Sequence, residues 1–173
     1  MPVLGADYRR DMEIRRYPVL AYGLVPLIAL VLQAWLPRLL GRYVWFDLPL
    51  VVTVYFALGR RSPIQGTLMG ASMGLFEDAL SHHAIGVNGI AKTVVGYGAS
   101  SLGAKLDVEN AGARLLVTLG FYLIHAAVYF TVARGMVNMT LDWSWSRGIL
   151  AGLANAVVGV ALYFVLDKFK QRT

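Results

Sequence analysis

No cysteine occurs in this chain of 173 residues. That absence excludes disulfides, thiolate metal sites and cysteine nucleophiles together. Charge is scarce as well: Asp, Glu, Lys and Arg make up 15% of the residues, against about 25% in an ordinary soluble domain. HExxH, the P-loop and the glycine-rich dinucleotide turn are all missing, so zinc-protease and nucleotide chemistry lack their residues. No enzyme, cofactor or metal is expected. Period-two strand patterns, low-complexity tracts and any stretch resembling a soluble domain are absent too.

What is present is apolar. Hydrophobic residues are 57% of the chain and the mean hydropathy is +0.58. The isoelectric point near 9.8 does not point to nucleic acid. The basic residues fall between apolar segments and form no patch with interleaved aromatics. Six apolar segments predict an all-α integral membrane protein, a six-helix bundle. They are residues 17–36, 47–58, 63–80, 85–103, 112–133 and 148–166. The first is twenty residues without a charge, the length a span needs, with Pro26 placed to kink it. The second is the shortest, with Asp47 as its N-cap and Pro49 in its first turn. Residues 1–16 read as a basic cytoplasmic arm, 17–167 as the membrane domain, and 168–173 as a basic cytoplasmic tail.

Charge placement supports six crossings. With the N-terminus inside, eleven Lys and Arg residues lie inside and four outside, Lys92 falling within a span. If the second segment does not cross, six lie inside and nine outside. The positive-inside rule therefore selects six spans with both termini cytoplasmic. Trp35, Trp45, Trp143 and Trp145 then all fall at outer ends, as an interfacial aromatic belt requires. In the arm, Arg9, Arg10, Arg15 and Arg16 orient the first span, and they also suit anionic lipid headgroups.

The third and fourth segments carry the main pattern. Gly66, Gly70, Gly74 and Asp78 recur every four residues. After a short turn Asn88, Lys92, Gly96 and Ser100 do the same. Each series is one stripe along a helix, and small stripes let helices approach closely in lipid. Running antiparallel, Gly66 meets the Ser100 and Gly103 end, Gly70 or Gly74 meets Gly96, and Asp78 comes level with Asn88 and Lys92. The expected contact is an Asp78–Lys92 ion pair capped by Asn88, with the lysine snorkelling outward. Its plain role is to neutralise two charges in the bundle; intramembrane charge is also a functional-site signal.

Glu77 leaves the helix about 100° from Asp78 and faces another helix, a cavity or the outer headgroups. Adjacent carboxylates suit acid/base or proton-relay work, but no paired base or nucleophile accompanies them, and interfacial exposure is the expectation. His82 and His83 read as a solvated turn, since adjacent histidines diverge. His125 lies mid-span with Tyr122 and Tyr129 on its face. A Tyr–His hydrogen bond would satisfy it, and a polar cavity lining is the alternative. In the sixth segment Gly148, Gly152 and Ala156 form another small stripe, with Asn155 and Gly159 beside it. It serves packing within the bundle, a partner's helix or a homodimer.

The stretch from Gly74 to Tyr97 contains Gly-x-x-x-Asp-Ala-Leu-Ser, then Gly-x-Asn at Gly86 and Asn88, then Lys-Thr-x-x-Gly-Tyr from Lys92. It resembles the signature region of MreD, the rod-shape-determining membrane protein family, and covers about one seventh of the chain. The basic arm is longer than that family usually shows. The resemblance implies a non-enzymatic scaffold of the bacterial inner membrane. Its partner would be an MreC-like single-span protein, within a larger complex containing a SEDS glycosyltransferase, a class B transpeptidase and the filament protein MreB. It also implies a fold similar to the S-components of energy-coupling-factor vitamin transporters. A substrate-binding transporter subunit is therefore the alternative function. On that reading Glu77, Asp78, Asn88 and Lys92 lie near a ligand position.

Overall fold

The computed structural model describes residues 19–40, 46–81, 84–105, 108, 110–139 and 144–168. The expectations placed on Arg9, Arg10, Arg15, Arg16, Trp45, His82, His83 and Trp143 lie outside the described residues. Among the described residues the regular elements are all α-helices: α1 (Val19–Leu40), α2 (Leu48–Arg60), α3 (Pro63–Ser81), α4 (Val87–Gly103), α5 (Ala111–Gly135) and α6 (Trp145–Asp167). Three of them, α1, α5 and α6, are long and apolar enough to cross a membrane. The other three fall short of that test, so the all-helical membrane character stands and the number of crossings is a separate question.

The short helix α2 is the axis of the molecule. Its residues from Pro49 to Gly59 are all buried. At 1.5 Å per residue its 13 residues span only about 20 Å. Both sides of it are core. On one side Val51, Val52, Tyr55 and Phe56 pack with Ala29, Leu30, Met73, Tyr163 and Leu166. On the other Leu50, Val54, Ala57 and Leu58 pack with Val95, Ala99, Val108 and Phe121. A helix apolar all round has to be surrounded in this way.

The α3–α4 hairpin follows the expected antiparallel stripes, with the register resolved in detail. A Cβ at Gly66 would run into the Gly96 carbonyl and the Ser100 side chain. One at Gly70 would strike the Lys92 carbonyl, and one at Gly74 that of Asn88. Gly96 therefore faces Gly66 and Gly70 and not Gly74, while Gly103 abuts Leu58 of α2 instead of α3. These stripes are occupied by each other. The space along them is filled within the hairpin. In α6 the same holds for Gly152, which seats Leu119 and Tyr122 of α5, and for Ala156, which is fully buried.

The outward faces remain apolar. Leu20, Leu24, Leu27, Val31 and Trp35 on α1 are exposed, as are Ile149, Leu153, Val157 and Phe164 on α6. At one end of the bundle Arg114 of α5 pairs with Asp167 of α6 at 2.6 Å, and Tyr55 Oη of α2 donates to the same carboxylate at 2.9 Å. Arg114 reads in sequence as a plain topology charge. It is in fact buried, and its partner Asp167 is the group that ties the three helices together.

Candidate functional site

The start of α2 lies deep in the bundle. Its polar neighbours are Gln33, the fifteenth residue of α1, and Asn155, the eleventh of α6. About ten residues, or about 15 Å, separate Asn155 from the beginning of α6. A helix N-terminus there exposes backbone groups that lipid cannot satisfy. Side chains do it instead. Asp47 N donates to Asn155 Oδ1 at 2.7 Å, and Leu48 N donates to Gln33 Oε1 at 3.1 Å. Gln33 Nε2 donates to the Phe46 carbonyl at 2.8 Å. Asp47 caps the helix as its position before the apolar run predicts, Oδ1 accepting from Leu50 N at 2.8 Å.

The second Asp47 oxygen meets Lys92. Lys92 Nζ lies 2.7 Å from Asp47 Oδ2 and 2.7 Å from Glu77 Oε2. The Glu77 contact is an ion pair whose angle falls outside hydrogen-bond geometry. Lys92 is 0% exposed; it does not snorkel. The expected Asp78–Lys92 pair is therefore replaced by a triad joining α2, α3 and α4. The expected interfacial exposure of Glu77 is corrected too, because its 100° offset from Asp78 carries it to Lys92 and into the core.

Asp78 has a different task. Its carboxylate accepts from Gly86 N at 2.8 Å, Asn88 Nδ2 at 2.9 Å, Gly89 N at 3.2 Å and Asn88 N at 3.3 Å. The cap residue of α4 is Gly86, which has no side chain to offer and turns the chain at φ 103°. Asp78 supplies the missing cap from the neighbouring helix, with its charge at the positive end of the α4 dipole. Asn88 serves Asp78 as expected, and the lysine goes elsewhere.

His125 completes the cluster. It is 7% exposed, and its Nε2 lies 3.9 Å from Asp47 Oδ2. That nitrogen has no hydrogen-bond partner among the described residues, so it is not the atom through which the expected bond to Tyr122 or Tyr129 could form. The His125 and Tyr129 rings lie 6.0 Å apart. Gly148 is the fourth residue of α6. Gln33, Asp47 and Asn155 are the site residues that sequence reasoning missed as a set. The available signal was that Gln33 and Asn155 are polar residues inside otherwise apolar runs.

Chemically the cluster is ionic and positional. Among the described residues no group of three or more His, Asp or Glu side chains is placed to hold a metal ion. The expectation of no catalytic signature needs one amendment. Gly70-Ala-Ser72-Met-Gly74 spells Gly-x-Ser-x-Gly, a pattern that serves catalysis on a strand-to-helix turn. Here Ser72 lies inside α3 and its Oγ donates back to the Leu68 carbonyl at 2.9 Å, the ordinary fate of a mid-helix serine. Comparison of the chain with family models, with curated proteins and with solved structures finds no match.

Proposed function

We propose that this chain is a non-enzymatic scaffold of the MreD type in the bacterial inner membrane. It would bind an MreC-like single-span protein and help couple it to a SEDS glycosyltransferase and a class B transpeptidase in rod-shape maintenance. The observation that carries the reading is the signature run itself. Its motif positions Asp78, Gly86, Asn88 and Lys92 are the residues that build the hairpin joint and the buried ion pairs. The resemblance thus falls on residues with a physical reason to occupy those positions.

Six crossings with cytoplasmic termini belong to the same proposal. The brevity of α2 is no obstacle, because its neighbours shield it from lipid along its length. Since the small-residue stripes are occupied internally, partner binding would use outward helix faces and depend on the stripes only through the fold. Anionic lipid at the basic arm, and a homodimer, complete the proposed contacts.

A transporter subunit similar to an S-component is the second reading, favoured by the unpartnered His125 Nε2 beside Asp47. Against it, the remaining polar groups of the cluster mostly satisfy one another, leaving few to converge on a ligand. Affinity purification of the tagged chain in detergent, with mass spectrometry of proteins and small molecules, separates the two. Recovery of a single-span MreC-like protein with cell-wall synthases is the expected outcome. Recovery of an ATPase module or a stoichiometric vitamin-like compound would replace the scaffold with a transporter.

A further inference from the structure

We infer that the Asp47–Glu77–Lys92–His125 cluster is a proton-binding site, taking up one exchangeable proton that Glu77 and His125 share. The argument starts from charge. Two carboxylates, Asp47 and Glu77, face one ammonium, Lys92, with both N···O distances at 2.7 Å. With His125 neutral the group carries one net negative charge in a buried place, where an uncompensated charge is costly. One proton brings it to zero. Two positions can take that proton, Glu77 or His125.

The geometry leaves room for each. Glu77 Oε2 makes no aligned hydrogen bond, so a proton there displaces none. His125 Nε2 has no hydrogen-bond partner among the described residues, and 3.9 Å from Asp47 Oδ2 it is one small side-chain movement from a charge-assisted bond. An orphaned buried nitrogen is rare and calls for a reason. Asp47 is a weaker home for the proton, because Leu50 N and the N-terminus of α2 stabilise its charge. The charged groups acting on His125 are Asp47 at the α2 cap and Lys92 of α4, with the Tyr129 ring beside it on its own helix; Glu77 of α3 joins the set through Lys92. From α6 the polar neighbour of the cluster is Asn155. Because the sites are close, they titrate as a unit with a shared midpoint.

Loading the proton on His125 would draw α5 to the α2 cap, and loading it on Glu77 would leave Lys92 to Asp47 alone. The inference does not depend on the scaffold reading, and its failure would leave that reading untouched. The experiment uses the whole chain in lipid nanodiscs, with histidine ring carbons labelled, titrated from about pH 5 to pH 8. NMR follows the His125 ring and infrared difference spectroscopy follows protonated carboxyl groups. His125→Gln assigns the ring signal and Glu77→Gln the carboxyl band. The expected result is uptake of one proton, seen in either signal, with Glu77→Gln abolishing the carboxyl band or moving the His125 midpoint. Flat signals across the range in the wild-type chain, which needs no variant, would overturn it. So would a titration unchanged in both variants.

Discussion

Lys92 holds more of the fold together than its length of side chain suggests. It is fully buried, yet both its partners come from other helices. Removing one member of a buried ion pair leaves the other charge uncompensated, at a cost of about 3–5 kcal/mol. Lys92→Met is therefore expected to destabilise the protein by about that much. Adding Asp47→Asn and Glu77→Gln to Lys92→Met should recover most of the loss, because the whole charge set then leaves together. Thermal unfolding in detergent, followed by circular dichroism, checks both. A Lys92→Met protein as stable as the wild type would mean the triad holds nothing. At this scale the sequence marked Asp78 and Lys92 as charges within the bundle, put Glu77 at its surface, and mispaired the lysine. Asp78 and Glu77 are adjacent, and nothing in the stripe says which one caps α4 and which one meets the lysine.

The hairpin of α3 and α4 was the most legible element. Spacing of four places Gly66, Gly70 and Gly74 on one line, and the backbones of α4 occupy the space those residues leave. The obstacle a side chain would meet at Gly70 is a main-chain carbonyl, which cannot rotate away. Gly70→Leu is thus expected to part the helices and destabilise by at least about 1–3 kcal/mol. Gly120→Ala is the matched contrast: no atom lies within 4 Å of a Cβ there, and α5 should gain about 0.5–1 kcal/mol from the better helix former. Unfolding midpoints of the two variants against the wild type decide this. Equal effects would show that helix propensity, not close approach, governs both glycines. The short helix α2 was legible as apolar and capped. Its central place was not, because a run apolar on all sides looks the same in lipid and in a protein core.

The whole molecule has two ends of different chemistry. One carries the Arg114–Asp167–Tyr55 junction, together with Arg60, Arg61 and Lys105. The proposed topology puts that end inside. The absence of cysteine makes a clean test available. Met136→Cys, at the end of α5, should react with a membrane-impermeant maleimide on intact cells. Lys105→Cys, after α4, should react only after permeabilisation. The reverse pattern would invert the orientation, and labelling of both from one side would mean that α5 does not cross.

What the chain determined by itself was local and periodic: helices, the apolar lengths of α1, α5 and α6, the hairpin stripes and the cap at Asp47. Each depends on residues within a few turns of one another, where spacing alone sets which side chains share a face. The tertiary structure decided the rest. Lys92 and Asp47 are 45 residues apart, and Asp47 and Asn155 are 108 apart. Pairings at that range exist only once α2 has docked among its neighbours and its N-terminus has been sunk into the bundle. The burial that makes those polar groups costly is also what forces them to find each other.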